Sequence, residues 1–148
     1  MDAFDFQDRV MDLLIKDETF CTLMDIPYPE PDPNVVSDDE YQAYNDKVNQ
    51  RVKRQIYSTD VLQQDSIPVV IEYFYNAYQT NNFLMNHGAF QIDVYTYERY
   101  QAMQIVRAIK RVVQDNFEDM YLFHENQTSS GIEGVYEYSL RFLPLISS

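Results

Sequence analysis

The stretch from Gly88 to Phe117 constrains this chain more than any other, because its hydrophobic period changes midway. In its first part Phe90, Ile92 and Val94 point one way, and Gln91, Asp93 and Tyr95 point the other. Such alternation marks a half-buried strand. After Tyr95 the pattern becomes helical. Ala102, Ile105, Val106, Ile109, Val112 and Val113 share one face, while Arg99, Arg107, Lys110, Arg111 and Gln114 lie largely off it. Thr96 is the expected N-cap, and Glu98 in the first turn suits the helix dipole. A strand therefore passes through a short connection into a long amphipathic helix. Burying that helical face contributes roughly 10 kcal/mol, at about 1.5–3 kcal/mol per side chain, before entropy is subtracted.

The remaining segments arrange themselves around this unit. Residues 4–16 have helical spacing, with Phe6, Val10, Leu13 and Leu14 on one face and Asp2 or Asp5 as cap. Phe20–Ile26 reads as a second short helical piece. Pro27, Pro29, Pro31 and Pro33 make the next segment extended and exclude a regular helix there. Two readings of it stay open: a surface connector, or an arm that reaches a neighbouring subunit. Ser37-Asp38-Asp39-Glu40 is a capping box, opening a helix to about Gln55 with acidic residues first and Arg51, Lys53 and Arg54 last. Its apolar stripe, Tyr41, Tyr44, Val48, Val52 and Ile56, is narrow, as in a peripheral helix or one packed on another subunit. Residues 67–76 are β-branched and aromatic and read as a strand, with Pro68 at its start. The polar segment 77–87 is a hairpin connection or protruding loop. Phe83, Leu84 and Met85 within it are either strand residues or an exposed apolar tip. Met120–Glu125 reads as a strand, Asn126–Gly131 as a turn cluster, and residues 133–146 as a long antiparallel strand. The sum is one α+β domain: a mainly antiparallel sheet of about four strands with helices on one face, and an acidic proline segment plus an extra helix inserted at about 27–56.

Composition narrows the function. A chain of 148 residues with 45% hydrophobic and 15% aromatic content can bury one core. Thirteen Tyr and nine Phe with no Trp suit either a Tyr-rich core and sheet surface or interfaces, where a ring is half buried and half wet. A formal net charge of −13 opposes general nucleic-acid binding. The charge is uneven: Asp17 to Asp46 holds nine acidic residues and no basic one. The single Cys21 lies among apolar neighbours and reads as a buried thiol, not a nucleophile. No secretory signal, transit peptide or membrane-spanning run is expected. The three glycines form no phosphate loop, and His87 and His124 stand on different elements without metal-ligand spacing. Asp93 is expected to face solvent or to sit in an ion pair. No catalytic, metal or cofactor-binding set emerges, so the chain reads as a non-enzyme with no cofactor.

The run from Ile67 to Val113, with the final segment Glu133–Ile146, resembles the tail terminator or tail-completion (head–tail joining, neck) proteins of long-tailed bacteriophages. The resemblance rests on the strand Phe90–Thr96, of the form xIDVYT, on the Ala and Ile face of Ala102–Val113, and on the closing strand Tyr138–Phe142. It covers about Ile67 to Ile146 and the first helix, and the segment Asp17–Ser66 departs from it. It implies a virion protein, assembled in the host cytoplasm. Such a protein forms a ring, commonly a hexamer, on the tail tube protein and presents a surface to the head–tail connector protein. DNA passes through the lumen without specific binding, and a negative lumen would let it slide. On this reading the basic residues Arg107, Lys110 and Arg111, with Arg51, Lys53 and Arg54, are candidate joints with the acidic Glu30, Asp32, Asp38 and Asp39 of a neighbouring copy. Phe83, Leu84 and Met85 are candidate contacts with a partner. Other classes stay open: a small acidic cytosolic binding domain or enzyme, or a DNA-mimicking inhibitor.

Overall fold

The computed structural model describes residues 3–57, 67–75, 89–118 and 120–143. In chain order these form α1 (Ala3–Ile15), α2 (Glu18–Met24), α3 (Asp38–Gln55), β1 (Ile56–Tyr57), β2 (Val69–Tyr75), β3 (Ala89–Thr96), α4 (Arg99–Asn116), β4 (Tyr121–Ser129) and β5 (Tyr136–Leu143). The fold is α+β. One sheet runs in the order β1-β2-β3-β5-β4. Its four long strands are antiparallel, as expected, and the two-residue β1 adds a parallel edge beside β2, which the sequence did not suggest.

Strand β3 takes the centre because its alternating apolar face is the most completely buried. Phe90, Ile92 and Val94 pair with Phe142, Leu140 and Tyr138 of β5, so their side chains share one face. Helix α4 then crosses that face and delivers the chain to the far edge, where β4 forms. The hairpin return places β5 between β3 and β4. Strand β4 thus runs parallel to β3 with β5 inserted between them. Helices α1, α2 and α4 cover the face together: Phe6, Val10, Leu14, Phe20, Met24, Ile105, Ile109 and Val113 join the strand residues in one core. Phe6 meets Phe90 edge-on at 5.0 Å between ring centroids. All six apolar positions expected on the α4 face are buried, with Ala108 beside them.

Three local expectations are corrected. Thr96 does not cap α4. It remains in the sheet opposite Tyr136, fully buried, and its hydroxyl donates to the Glu98 carbonyl at 2.6 Å, so Glu98 becomes the N-cap. The turn expected at Asn126–Gly131 begins later. Asn126 to Ser129 pair with Ser139 to Tyr136, because a sheet-edge strand facing water accepts polar residues. The reversal falls at Ser130–Val135. There the Ser130 hydroxyl donates to the Val135 carbonyl at 2.8 Å and accepts from the Ile132 N–H at 3.0 Å, and Gly131 and Gly134 take φ of 76° and 79°. Asp93 is buried, which overturns the solvent-facing alternative of its expectation. By contrast, the Ser37 cap is present, its hydroxyl accepting from the Glu40 N–H at 3.2 Å. The expected loop 77–87 and the end of the last strand lie outside the described residues.

Because Ile109 is completely buried where α4 meets the sheet, Ile109→Ala is expected to destabilise the fold by about 2–5 kcal/mol, read as a lowered urea midpoint at unchanged m-value.

Candidate functional site

The charged residues singled out by the sequence fall into two groups in space. On α4, Arg107 is exposed, while Lys110 and Arg111 are engaged within their own chain. Lys110 Nζ lies 3.2 Å from Glu125 on β4. Arg111 lies 2.7 Å from Asp17, whose carboxylate also accepts the Phe20 N–H at 3.0 Å and so caps α2. The pair ties α2 to α4. On α3, Arg51 meets Asp25 at 3.1 Å. Lys53 and Arg54 belong to the last turn of α3, but their side chains, like the whole of Phe83, Leu84 and Met85, lie outside the described residues. The acidic candidates are surface groups with local duties. Glu30 accepts a hydrogen bond from Tyr41, which holds that phenol protonated above its usual range. Asp32 accepts the Asn34 N–H at 2.9 Å, and Asp38 and Asp39 stand exposed at the positive end of α3. Within the chain, Arg51, Lys110 and Arg111 thus each meet an acid outside the Glu30–Asp39 group.

The sheet face away from the helices carries a buried polar row. Gln91 donates to Asp93 at 2.8 Å, Ser139 donates to Asp93 at 2.6 Å, and Arg141 donates to Gln91 at 3.0 Å. Register explains it: Asp93 faces Ser139, and Gln91 faces Arg141, across β3 and β5. A carboxylate that accepts hydrogen bonds from an amide and a hydroxyl across the strands belongs to a structural network. Ser139 gives its proton directly to Asp93 with no histidine between them, so this geometry does not prepare a serine nucleophile. His124 is the register partner of Arg141 on β4.

Cys21 is fully buried, and its thiol donates to the Ile15 carbonyl at 3.1 Å. Burial, with Asp17 nearby, pushes its pKa up to about 11, so the thiol stays protonated at neutral pH. Glu72 is the unexpected group. It faces Ile92 on the helix-covered side of the sheet, is fully buried, and neither carboxylate oxygen has a hydrogen-bond partner among the described residues. Burial first, then the charge of Asp8, pushes its pKa up to about 8. Across the same seam the Gln7 amide donates to the Glu72 backbone carbonyl at 2.9 Å, so α1 holds this strand by its main chain. The sequence signal was visible: one acid inside the apolar run Val69–Tyr75, two residues after Val70 and therefore on its face.

Two clefts open on the described surface. One, of about 470 Å³, lies between the α2 C-terminus and α3 and is lined by Ile26, Tyr28, Lys47, Gln50 and the Arg51–Asp25 pair. The other, about 270 Å³, lies where the β3–α4 connection meets the β4–β5 turn, lined by Tyr97, Arg99, Gly134, Val135 and Tyr136. Sequence reasoning passed over this second group, although Tyr95-Thr96-Tyr97-Glu98-Arg99-Tyr100 packs three tyrosines and an arginine into a connection. Among the described residues no group of three His, Cys, Asp or Glu is placed to hold a metal, and no helix is long and apolar enough to cross a membrane. Comparison with protein-family models, with curated proteins and with solved structures finds no match.

Two outcomes follow from these groups. Between about pH 4.5 and 8 the unfolded chain ionises Glu72 while the folded chain keeps it neutral, so its contribution makes stability fall as pH rises, levelling off above about pH 8. Glu72→Met is expected to remove that slope and to stabilise the fold at pH 8 by about 1–3 kcal/mol, with a smaller gain at pH 5, in urea titrations at both pH values. Asp17→Ala is expected to cost about 1–2 kcal/mol because it removes a cap, and Arg111→Ala less than about 1 kcal/mol because that guanidinium is half exposed.

Proposed function

We propose that this chain is a structural virion subunit that closes the tail tube of a long-tailed phage or joins it to the head connector, acting as a ring around the DNA path. The observation that carries the reading is the order of the central unit. The xIDVYT strand is the middle of the sheet, α4 follows it with Ala102, Ile105, Ala108 and Ile109 inward, and the β4–β5 hairpin closes on Tyr138, Arg141 and Phe142. These are the elements on which the resemblance rests, and here they form one packed body. The Asp of that strand serves the sheet through Gln91 and Ser139.

Surface chemistry supports the same reading. The net charge of −13, with Asp38, Asp39 and Glu40 exposed along the start of α3, suits a wall past which DNA slides without adhering. Cys21 and Glu72, the groups with the most altered protonation, are sealed in the interior and out of a substrate's reach. The partners on this reading are further copies of the chain, the tail tube protein and the connector, with no cofactor.

The test is co-sedimentation of the full chain with tubes of the cognate tail tube protein, alongside its mass by light scattering. Binding at tube ends, in a ring of about six copies, is the expected result. A chain that neither binds tubes nor changes their length distribution would overturn the proposal.

A further inference from the structure

Among the described residues, the large apolar side chains left exposed fall in two places. Tyr28 and Val35, 44% and 79% exposed, bracket the acidic proline segment, while Tyr97, 55% exposed, lines the cleft with Arg99 and Tyr136, and Tyr100, 69% exposed, follows Arg99 in the first turn of α4. With all four this open to solvent, neither patch covers the other within one chain. We propose that the Tyr97–Arg99–Tyr136 cleft of one copy receives the Tyr28–Val35 segment of a second copy.

The two surfaces have matching chemistry. Pro29, Pro31 and Pro33 restrict the backbone, and the segment turns at Asp32–Val36, where the Val35 and Val36 N–H groups bond back to the Asp32 carbonyl at 2.9 and 3.1 Å, so it loses little entropy when it docks. Proline rings pack well against the flat faces of aromatic side chains such as those of the cleft. Glu30 and Asp32 are exposed on the segment, and Arg99 is exposed at the cleft, so a charge-assisted contact adds direction to an apolar one. Tyrosine and arginine together are the side chains that most often dominate protein interfaces.

The segment is also held ready. Its start follows the α2 C-cap, where the Asp25 N–H bonds back to α2, and its end is the Ser37 cap of α3. Between them Tyr41 holds Glu30 and Tyr44 reaches the Pro27 carbonyl. A segment anchored at both ends and along its length is preorganised for docking. Because the giving and receiving surfaces differ, the joint is head-to-tail, which closes into a ring or runs on as a filament. The inference rests on the ring reading above for its choice of occupant, and it supplies that ring with a joint.

The test uses the full chain and two variants, Tyr97→Ala/Tyr100→Ala at the cleft and the adjoining turn of α4, and Tyr28→Ala/Val35→Ala on the segment. Masses are read by sedimentation equilibrium at low and at about 0.5 M salt, where charge repulsion between copies is screened. The wild type is expected to form assemblies larger than a dimer. Each variant alone is expected to stay monomeric with an unchanged circular dichroism spectrum. An equal mixture of the two is expected to give dimers and nothing larger, since only one competent joint can form. Arg99→Glu, a single exposed change, is expected to weaken association at least tenfold and serves if a double variant fails to fold. A wild type that stays monomeric to its solubility limit at both salts, or variants that associate as the wild type does, would overturn the joint. A monomeric wild type that still binds tail tubes would sink this inference alone. Assembly through the cleft without tube binding would sink the tail reading alone.

Discussion

The pairing of Ile92 holds the rest of the molecule in place. It lies completely buried in β3, with Leu140 of β5 on one side and Glu72 of β2 on the other, beneath the helices. A one-residue slip of β3 would carry Phe90, Ile92 and Val94 to the opposite face and bring Gln91 and Asp93 under α4. The two faces of this strand are therefore interlocked. The apolar face needs the helices, and the polar face needs Ser139 and Arg141 in register to satisfy Asp93 and Gln91. That register also builds the surface under α4, since Ile105 and Ile109 share one core with Ile92 of β3 and Leu140 of β5.

Against this well-matched centre, Glu72 is a liability. It is buried beside the apolar core, its charge would be repelled by Asp8, and its carboxylate makes no hydrogen bond among the described residues. The seam between α1 and β2 is thus less favourable than the seam between α4 and β3, even though both bury large aromatic and aliphatic groups. Other polar groups do double duty, as with Asp17, which serves the α2 cap and Arg111 at once. Such double use explains why basic side chains on α4 that look available in the sequence are already engaged in the folded chain.

The surface ion pairs Arg51–Asp25, Lys110–Glu125 and Arg111–Asp17 link elements of one chain. Ion pairs such as Arg51–Asp25 are exposed and contribute little on their own, about 0–1 kcal/mol.

Periodicity alone carried the centre of the fold. The switch from alternation to helical spacing between Tyr95 and Arg99, the α1 face of Phe6, Val10 and Leu14, the Ser37 cap and the final strand were all legible, because each is a local pattern that burial in any α+β domain would reward. The capping of α4 and the length of β4 were not legible. Thr96 and Asn126–Ser129 have the composition of caps and turns, and pairing with β5 overrode it. The burial of Asp93 was hidden because its partners lie 46 and two residues away, on β5 and on β3 itself. The engagement of Lys110 and Arg111 was hidden for the same reason, since their acids come from β4 and the start of α2. Local chemistry thus set the elements and their faces. Register between distant strands decided which polar groups are satisfied, which remain at the surface, and where the tyrosine cleft opens.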